Sequence, residues 1–544
     1  MDILSFMKAP MKTKRRCVMR KRSLLLVGAA LLICIIILGL YSMAFADGGV
    51  YRTILKTGSL LAAILGIVGI SVAGYLAGKD YDSYTGWERY THGAGMFYNR
   101  KPFRKDNPTY GVDGPTRRVN SEESFIGRMR AMMQLIHTPD GGEPKWLPPM
   151  GIEALPEPYK NFFMEHPDNY KWMLGNMELT MKQGSNWAKF STQFAIADAW
   201  STSMASSFED SHGNPHPDRL YPPEPKGPPE EWDFRGISRK KPLPFKSPKH
   251  ASELIKKISH TFGATLVGIT KLNPDWCYQG HLRGIGPGQY DVPAHWEYAI
   301  VVVTPHEWDS MYANPVYGTS YDGYSRERMI CGRLETFLHE LGYPARSHVP
   351  PSYYDVIMPP IAIDAGLGEQ GRKGLMITPE LGSNARLACV TTNLPMEVDK
   401  PIDIGVKEFC RKCKICAERC PTGAISHEEH PRVEFGYRRW RIKDELCFKT
   451  WASVAQSHPR GCRICIAVCP YTRKNNWLHA ISRYIDPRDP TGIVSSGLLW
   501  MQKSFFHYPE ARDFLPPPEG GNATYHEPPD WLQTEKWFNV DKTW

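Results

Sequence analysis

Eight of the chain's 13 cysteines fall within about sixty residues, in two runs that each close on Cys-Pro. Cys410, Cys413, Cys416 and Cys420 precede Pro421, giving C-x2-C-x2-C-x3-C-P. Cys462, Cys465 and Cys469 precede Pro470, and Cys447 upstream supplies the member that the second run lacks. Thiolates are soft ligands suited to iron, and spacings this short let one loop wrap three corners of a [4Fe–4S] cubane. Where two such runs occur together, the fourth cysteine of each ligates the other cluster. The expectation is therefore one cluster on Cys410, Cys413, Cys416 and Cys469, and a second on Cys447, Cys462, Cys465 and Cys420. Paired zinc knuckles and disulfides compete with that reading. Zinc sites, however, seldom place three cysteines two residues apart and then repeat a terminal Cys-Pro. The chemistry indicated is one-electron transfer.

The remaining cysteines, Cys17, Cys34, Cys277, Cys331 and Cys389, are isolated and read as small buried hydrophobes rather than a secreted disulfide framework. With 544 residues the chain can hold two or three domains. Its net charge of +9 is modest, and the basic residues form no stripe of the kind that binds nucleic acid. Part of that excess is Lys12, Lys14, Arg15, Arg16, Arg20, Lys21 and Arg22, just ahead of an apolar run. Leu24 to Ala46 is free of charge and long enough to cross a bilayer, and Gly58 to Gly78 is a second such stretch. Basic residues precede the first span and follow the second, so the positive-inside rule predicts a hairpin with both ends in the cytoplasm. A rival reading takes Arg15-Arg16 as a degenerate twin-arginine signal with cleavage after Ala44-Phe45-Ala46, which would export the chain.

These features divide the chain into a membrane anchor (1–79), an irregular α-rich region with a Pro-rich connector (80–246), and an α/β, or α+β, core (247–403). A cluster module (404–475) and a C-terminal extension (476–544) follow. Within the second segment Ser121 to Ile136 repeats apolar residues at helical spacing. Ser247-Pro248 starts a helix running to about Phe262. Ala264 to Ile269 and Tyr298 to Val303 read as buried strands, and Tyr324 to Leu341 reads as a helix that Gly342 ends. Strand-like Leu375 to Thr378 and Ala385 to Thr392 complete a mixed domain.

The order of motifs across roughly 247–480 resembles the corrinoid-dependent reductive dehalogenases. The resemblance rests on Pro359 to Thr378 (PPIAIDAGLGEQGRKGLMIT), then Asn384 to Pro395 (NARLACVTTNLP), then Phe409-Cys410. It implies a corrinoid of the cobalamin type held base-off in a nitroreductase-like core, beside a module like a bacterial ferredoxin. Gly366, Gly368 and Gly371 would then belong to the cofactor-binding stretch. No D-x-H-x-x-G signature contradicts base-off binding: Asp210-Ser-His212-Gly-Asn-Pro215 lacks its glycine. Nor is Gly366-Leu-Gly368-Glu-Gln-Gly371 followed by the rest of a dinucleotide-binding unit.

Two pocket residues carry over by position. Tyr324 matches the family's proton-donating tyrosine, and Arg386 matches its basic partner. The chemistry asks for such a pair. Replacing halide by hydrogen leaves a carbon that needs a proton, and a phenol with a pKa near 10 donates better beside a cation. One departure stands out: membrane-associated members often place an asparagine after the helix and its Gly-Tyr turn. This chain offers only His348, Tyr353 and Tyr354 there.

The resemblance implies a membrane-bound reductive dehalogenase that replaces carbon–halogen by carbon–hydrogen with two electrons and one proton. Its partners would be a small organohalide and an electron donor, either a quinone-linked chain or a ferredoxin or flavodoxin. Two alternatives share parts of the pattern. One is an epoxyqueuosine-reductase-like enzyme, whose family works on transfer RNA with an acidic proton donor. The other is a non-catalytic iron–sulfur subunit of a membrane electron-transfer chain.

Overall fold

The computed structural model describes residues 118–133, 136–137, 145–146, 152–155, 157–183, 241–278, 292–293, 295–306, 319–349, 356–434, 437–454, 462–472 and 491–505. Gly58, Ser482, 485–486 and 489 are described in addition. Contacts divide the chain into one unit of residues 1–98 with 475–482 and another of 99–474 with 483–544. Apart from Gly58 and Ser482, every described residue belongs to the second unit. The two expected spans apart from Gly58, the twin-arginine segment, most of the Pro-rich connector, and Tyr353 and Tyr354 lie outside the described residues. Among the described residues no helix is long and apolar enough to cross a membrane.

Among the described residues, α1 (Phe125–Met133), α2 (Glu157–Glu165) and α3 (Pro167–Gln183) precede the core domain. The core domain opens with α4 (Pro248–Thr261), whose start is fixed as the sequence predicts. Ser247 is extended, its hydroxyl accepts from the His250 N–H at 3.2 Å, and Pro248 occupies the first helical position. Strands β1 (Leu266–Lys271), β2 (Tyr298–Thr304), β3 (Ala345–His348) and β4 (Arg386–Thr392) form one sheet in the order β1-β2-β4-β3, with every pairing antiparallel.

Helix α5 (Thr319–Glu340) packs with α4 on one face, where Ile255, Ile330, Leu334 and Leu338 meet Ile300, Val302, Ala388 and Val390. Gly342, at φ 86°, turns the chain at its end. Helix α6 (Met358–Asp364) packs on the sheet too, and its end settles on Gly268, where a Cβ would stand 2.4 Å from the Ala365 carbonyl oxygen. Burial on both faces explains why Tyr298 to Val303 is a continuous apolar run instead of an alternating one.

The cluster module contains α7 (Val406–Lys412), α8 (Ile415–Glu418), α9 (Asp444–Val454) and α10 (Ile464–Ala467), and α11 (Ile493–Phe505) follows it. The short helices α8 and α10 pack on each other, each with a cysteine at its second position, Cys416 and Cys465. The α-rich region is not independent of this module. Phe448 of α9 shares a core with Phe125, Met132, Phe163 and Met173, its ring 5.1 Å from that of Phe125. The buried Arg128 pairs with Glu445 at 2.7 Å. The helix that carries Cys447 is thereby held against α1 and α3.

Candidate active site and cluster module

Cys410, Cys413, Cys416 and Cys469 line one small cavity with Lys373, Phe409 and Tyr471, the grouping expected for the first cluster. Cys447, Cys462, Cys465 and Cys420 form the second group, close enough that their charges act on one another. Burial, then mutual repulsion, pushes Cys410 and Cys462 up to about 12, and lifts Cys447 well above the usual thiol range. Thiols raised in this way ionise only against added positive charge, which the irons of a cluster would provide. Among the described residues no three Cys, His, Asp or Glu side chains converge as ligands of a single metal ion. Each quartet would offer one thiolate to each iron of a [4Fe–4S] cluster. Cys469 differs from the rest: burial raises it, but the Lys373 ammonium beside it wins and the net direction is down.

Arg372 and Lys373, from the Gly-rich stretch, both point at this module. Arg372 is buried and donates to the carbonyl oxygens of Cys410 (2.6 Å), Cys413 (3.1 Å) and Ser426 (2.9 Å), and also to that of Glu428. Its guanidinium lies 5.0 Å from the Trp440 ring centroid. The three glycines of the stretch are packed by protein. A Cβ at Gly366 would meet the Lys400 carbonyl oxygen at 2.4 Å, and one at Gly368 would meet that of Ile377 at 2.3 Å. At Gly371 it would meet the Ile377 side chain at 2.6 Å. What the missing side chains visibly provide is close backbone packing that delivers Arg372 and Lys373 to the clusters.

Tyr324 and Arg386 come together at one end of the sheet. Thr304 at the end of β2 pairs with Arg386 at the start of β4, so the segments through His306 and Ser383 emerge side by side. Tyr324, in the first turns of α5, lies beneath the Arg386 guanidinium, 4.0 Å from carbon to ring centroid. Gly323 makes this possible, because a Cβ there would stand 2.5 Å from Arg386 Cγ. The segment leading into Arg386's strand also reaches the cysteine module: Ser383 Oγ lies 3.7 Å from Cys469 Sγ, and Ser383 N–H donates to Thr472 Oγ1 at 3.2 Å.

Several buried groups at this end were not singled out from sequence. Asn384 Oδ1 accepts from the His306 backbone N–H at 3.0 Å and lies 2.7 Å from Nδ1. An amide oxygen only accepts, so Nδ1 carries the proton and Nε2 keeps its lone pair. Burial, then the charges of Arg386 and Arg463, holds His306 well below the usual imidazole range. Glu327, one turn along α5 from Tyr324, is fully buried, and burial lifts its carboxyl to about 8 against the opposing charges of Arg386 and Arg326. Arg463 stands between this pocket and Cys462; burial, then Arg386, lowers it to about 10. Glu327 at three residues from Tyr324, and an arginine inside a C-x2-C pair, were the signals that could have found two of these.

His348, the proposed stand-in for the family's asparagine, is a buried strand residue with Nε2 3.0 Å from Thr391 Oγ1. Buried polar atoms without a hydrogen bond gather where β2 and β4 meet α5: Thr304 Oγ1, His306 Nε2, both Glu327 oxygens, and Arg386 Nε and Nη2. Leaving such atoms unpaired is costly, and a corrinoid fringed with amides that donate and accept would satisfy both kinds.

Comparison with known proteins bears on the fold and the cluster module. The model of the 4Fe-4S double cluster binding domain matches residues 409–472. A tetrachloroethene reductive dehalogenase of Desulfitobacterium hafniense is 31% identical, over 49% of this chain and 60% of that one. The chain thus spans less than two thirds of the length of the relatives it matches. An epoxyqueuosine reductase of Listeria monocytogenes is 32% identical over 31% of this chain and 42% of its own. A catabolic reductive dehalogenase, solved in complex with 3-bromo-4-hydroxybenzoic acid, superposes with a TM-score of 0.51 at 22% identity, covering 75% of this chain and 49% of that one, and so shares the fold. Over about half its length the chain is similar to the reductive dehalogenases, and a match to the 4Fe-4S double cluster binding domain follows its α/β core.

Proposed function

We propose that the chain is the catalytic subunit of a reductive dehalogenase, exchanging carbon-bound halide for hydrogen on a small organohalide. One observation carries this: Tyr324 lies under the Arg386 guanidinium, and Ser383, just ahead of Arg386's strand, touches Cys469. A corrinoid bound base-off at this end of the sheet would supply the low-potential electrons that expel halide. Thr304, His306, Glu327 and Arg386 offer the donors and acceptors to hold it. Clusters held by the two cysteine quartets would supply electrons one at a time, and Tyr324 would give up its phenolic proton while the Arg386 cation beside it stabilises the phenolate left behind.

Glu327 supports a second reading of the proton source alone. A carboxyl lifted to about 8 is largely protonated near neutrality and sits one turn from Tyr324. The test is halide release across an organohalide panel, with a chemical one-electron donor and corrinoid bound. Tyr324→Phe should lose about 10²–10⁴-fold with clusters and corrinoid retained. Near-wild-type release by that variant, with loss in Glu327→Gln, would move the proton to Glu327.

We further place the chain at the cytoplasmic membrane through an N-terminal hairpin, with the catalytic domain on the cytoplasmic face. A quinone-linked chain or a ferredoxin or flavodoxin would feed it electrons. The charge bias around the two apolar stretches supports this. Protease added to intact spheroplasts should leave the domain uncut, and degradation there would favour export.

A further inference from the structure

Lys373 is 1% exposed, and burying an ammonium is costly unless it is closely paired. Its partners are thiols. It lines the cavity of the first quartet and hydrogen-bonds Cys469, and its charge acts on Cys416 of the same quartet and on Cys465 of the second. Its neighbour Arg372 is used differently, since its guanidinium donates to backbone carbonyl oxygens. Arg372 holds the loop, whereas Lys373 touches the sulfur.

A cluster that accepts an electron gains negative charge. A fixed cation bonded to one of its sulfurs stabilises that reduced form, and hydrogen bonds and net charge are the means by which proteins set cluster potentials. The effect weakens with distance, so a cation bonded to one quartet and only near the other acts on them unequally. We infer that Lys373 raises the reduction potential of the cluster on Cys410, Cys413, Cys416 and Cys469, and that of its partner cluster by less. This rests on the double-cluster module alone and is independent of the organohalide reading.

The test is a potentiometric titration of the full chain, followed by electron paramagnetic resonance, in wild type, Lys373→Gln and Lys373→Met. Glutamine keeps a donor and loses the charge; methionine loses both. One of the two reduction waves should move to lower potential in each variant, further in methionine than in glutamine, with the other wave moving less. A tenfold change in the ratio of oxidised to reduced cluster, or 59 mV for a one-electron couple, is the expected scale in Lys373→Met. Waves unmoved in both variants at full iron content, or moved equally, would overturn the inference. So would failure of both variants to hold iron, because Lys373 would then be holding the fold rather than the potential.

Discussion

Arg372→Met keeps the length and apolar stem of the side chain and removes only the guanidinium. In the native protein that group closes the C-terminal end of α7, where the Cys410 carbonyl oxygen has no continuing turn to donate to it. It also ties in the carbonyl oxygens of Cys413 and Ser426, while Glu428 keeps a second donor in Trp440 Nε1 at 3.2 Å. Three carbonyls thus lose a charged donor at about 1–3 kcal/mol each, offset in part because the variant no longer buries a cation. The net cost should be about 3–5 kcal/mol, a large share of a typical domain stability of roughly 5–15 kcal/mol. The damage falls on the loop from Cys410 to Cys416, so iron should be lost from the first cluster before the fold as a whole is lost. The assay is iron and acid-labile sulfide per chain after anaerobic reconstitution, with a thermal unfolding scan of the same sample. Wild type should bind about eight irons and the variant distinctly fewer, with a lower midpoint. Arg372→Lys keeps a charge but cannot reach three carbonyls at once, and should lie between them. Full iron and an unchanged midpoint in Arg372→Met would refute the reasoning.

Glu327→Gln should change how stability depends on pH. The folded-state pKa of Glu327, about 8, lies above its usual 4.5, so its protonated form contributes stability that is fully present below about 4.5 and is lost as pH rises through about 8. Glutamine cannot ionise, so the variant should gain on wild type between those limits by a few kcal/mol at most, measured as unfolding midpoints at several pH values; parallel curves would contradict it. Gly323→Ala should displace Arg386, whose Cγ lies 2.5 Å from where the new Cβ would stand. Turnover should fall by roughly 10²-fold with iron content unchanged, as expected when a charged group moves by about an ångström.

The cluster ligands were legible because their chemistry is local. Spacing alone groups Cys410, Cys413, Cys416 with Cys469, and the cavity they share has that membership. Helix α4 was legible for a similar reason, since Ser247-Pro248 writes its start into two adjacent residues. The antiparallel order β1-β2-β4-β3 was not, because alternation of helix and strand is silent about pairing across long connections. The Gly-rich stretch shows how one segment can serve two structures at once. Its glycines fit their backbone surroundings, while Arg372 and Lys373 between them serve a module that begins some thirty residues later. His306 and Asn384 were missed for a different reason: a buried polar residue reads like an exposed one until the sheet end and α5 enclose it. The pairing of Tyr324 with Arg386 came from resemblance, and only the Thr304–Arg386 register and the missing side chain of Gly323 explain why the two meet.

The central claim is that electrons passed through the clusters expel halide at the Tyr324–Arg386 pocket. The most direct measurement is the stoichiometry of the full chain, reconstituted anaerobically with iron, sulfide and corrinoid and given a limiting amount of a one-electron donor. Halide released is counted against electrons consumed, with chlorinated ethenes and brominated phenols as substrates. The account requires one halide for every two electrons, with release that falls sharply in Tyr324→Phe. Electron uptake by fully loaded protein with no halide above the protein-free control, across the whole panel, would contradict it.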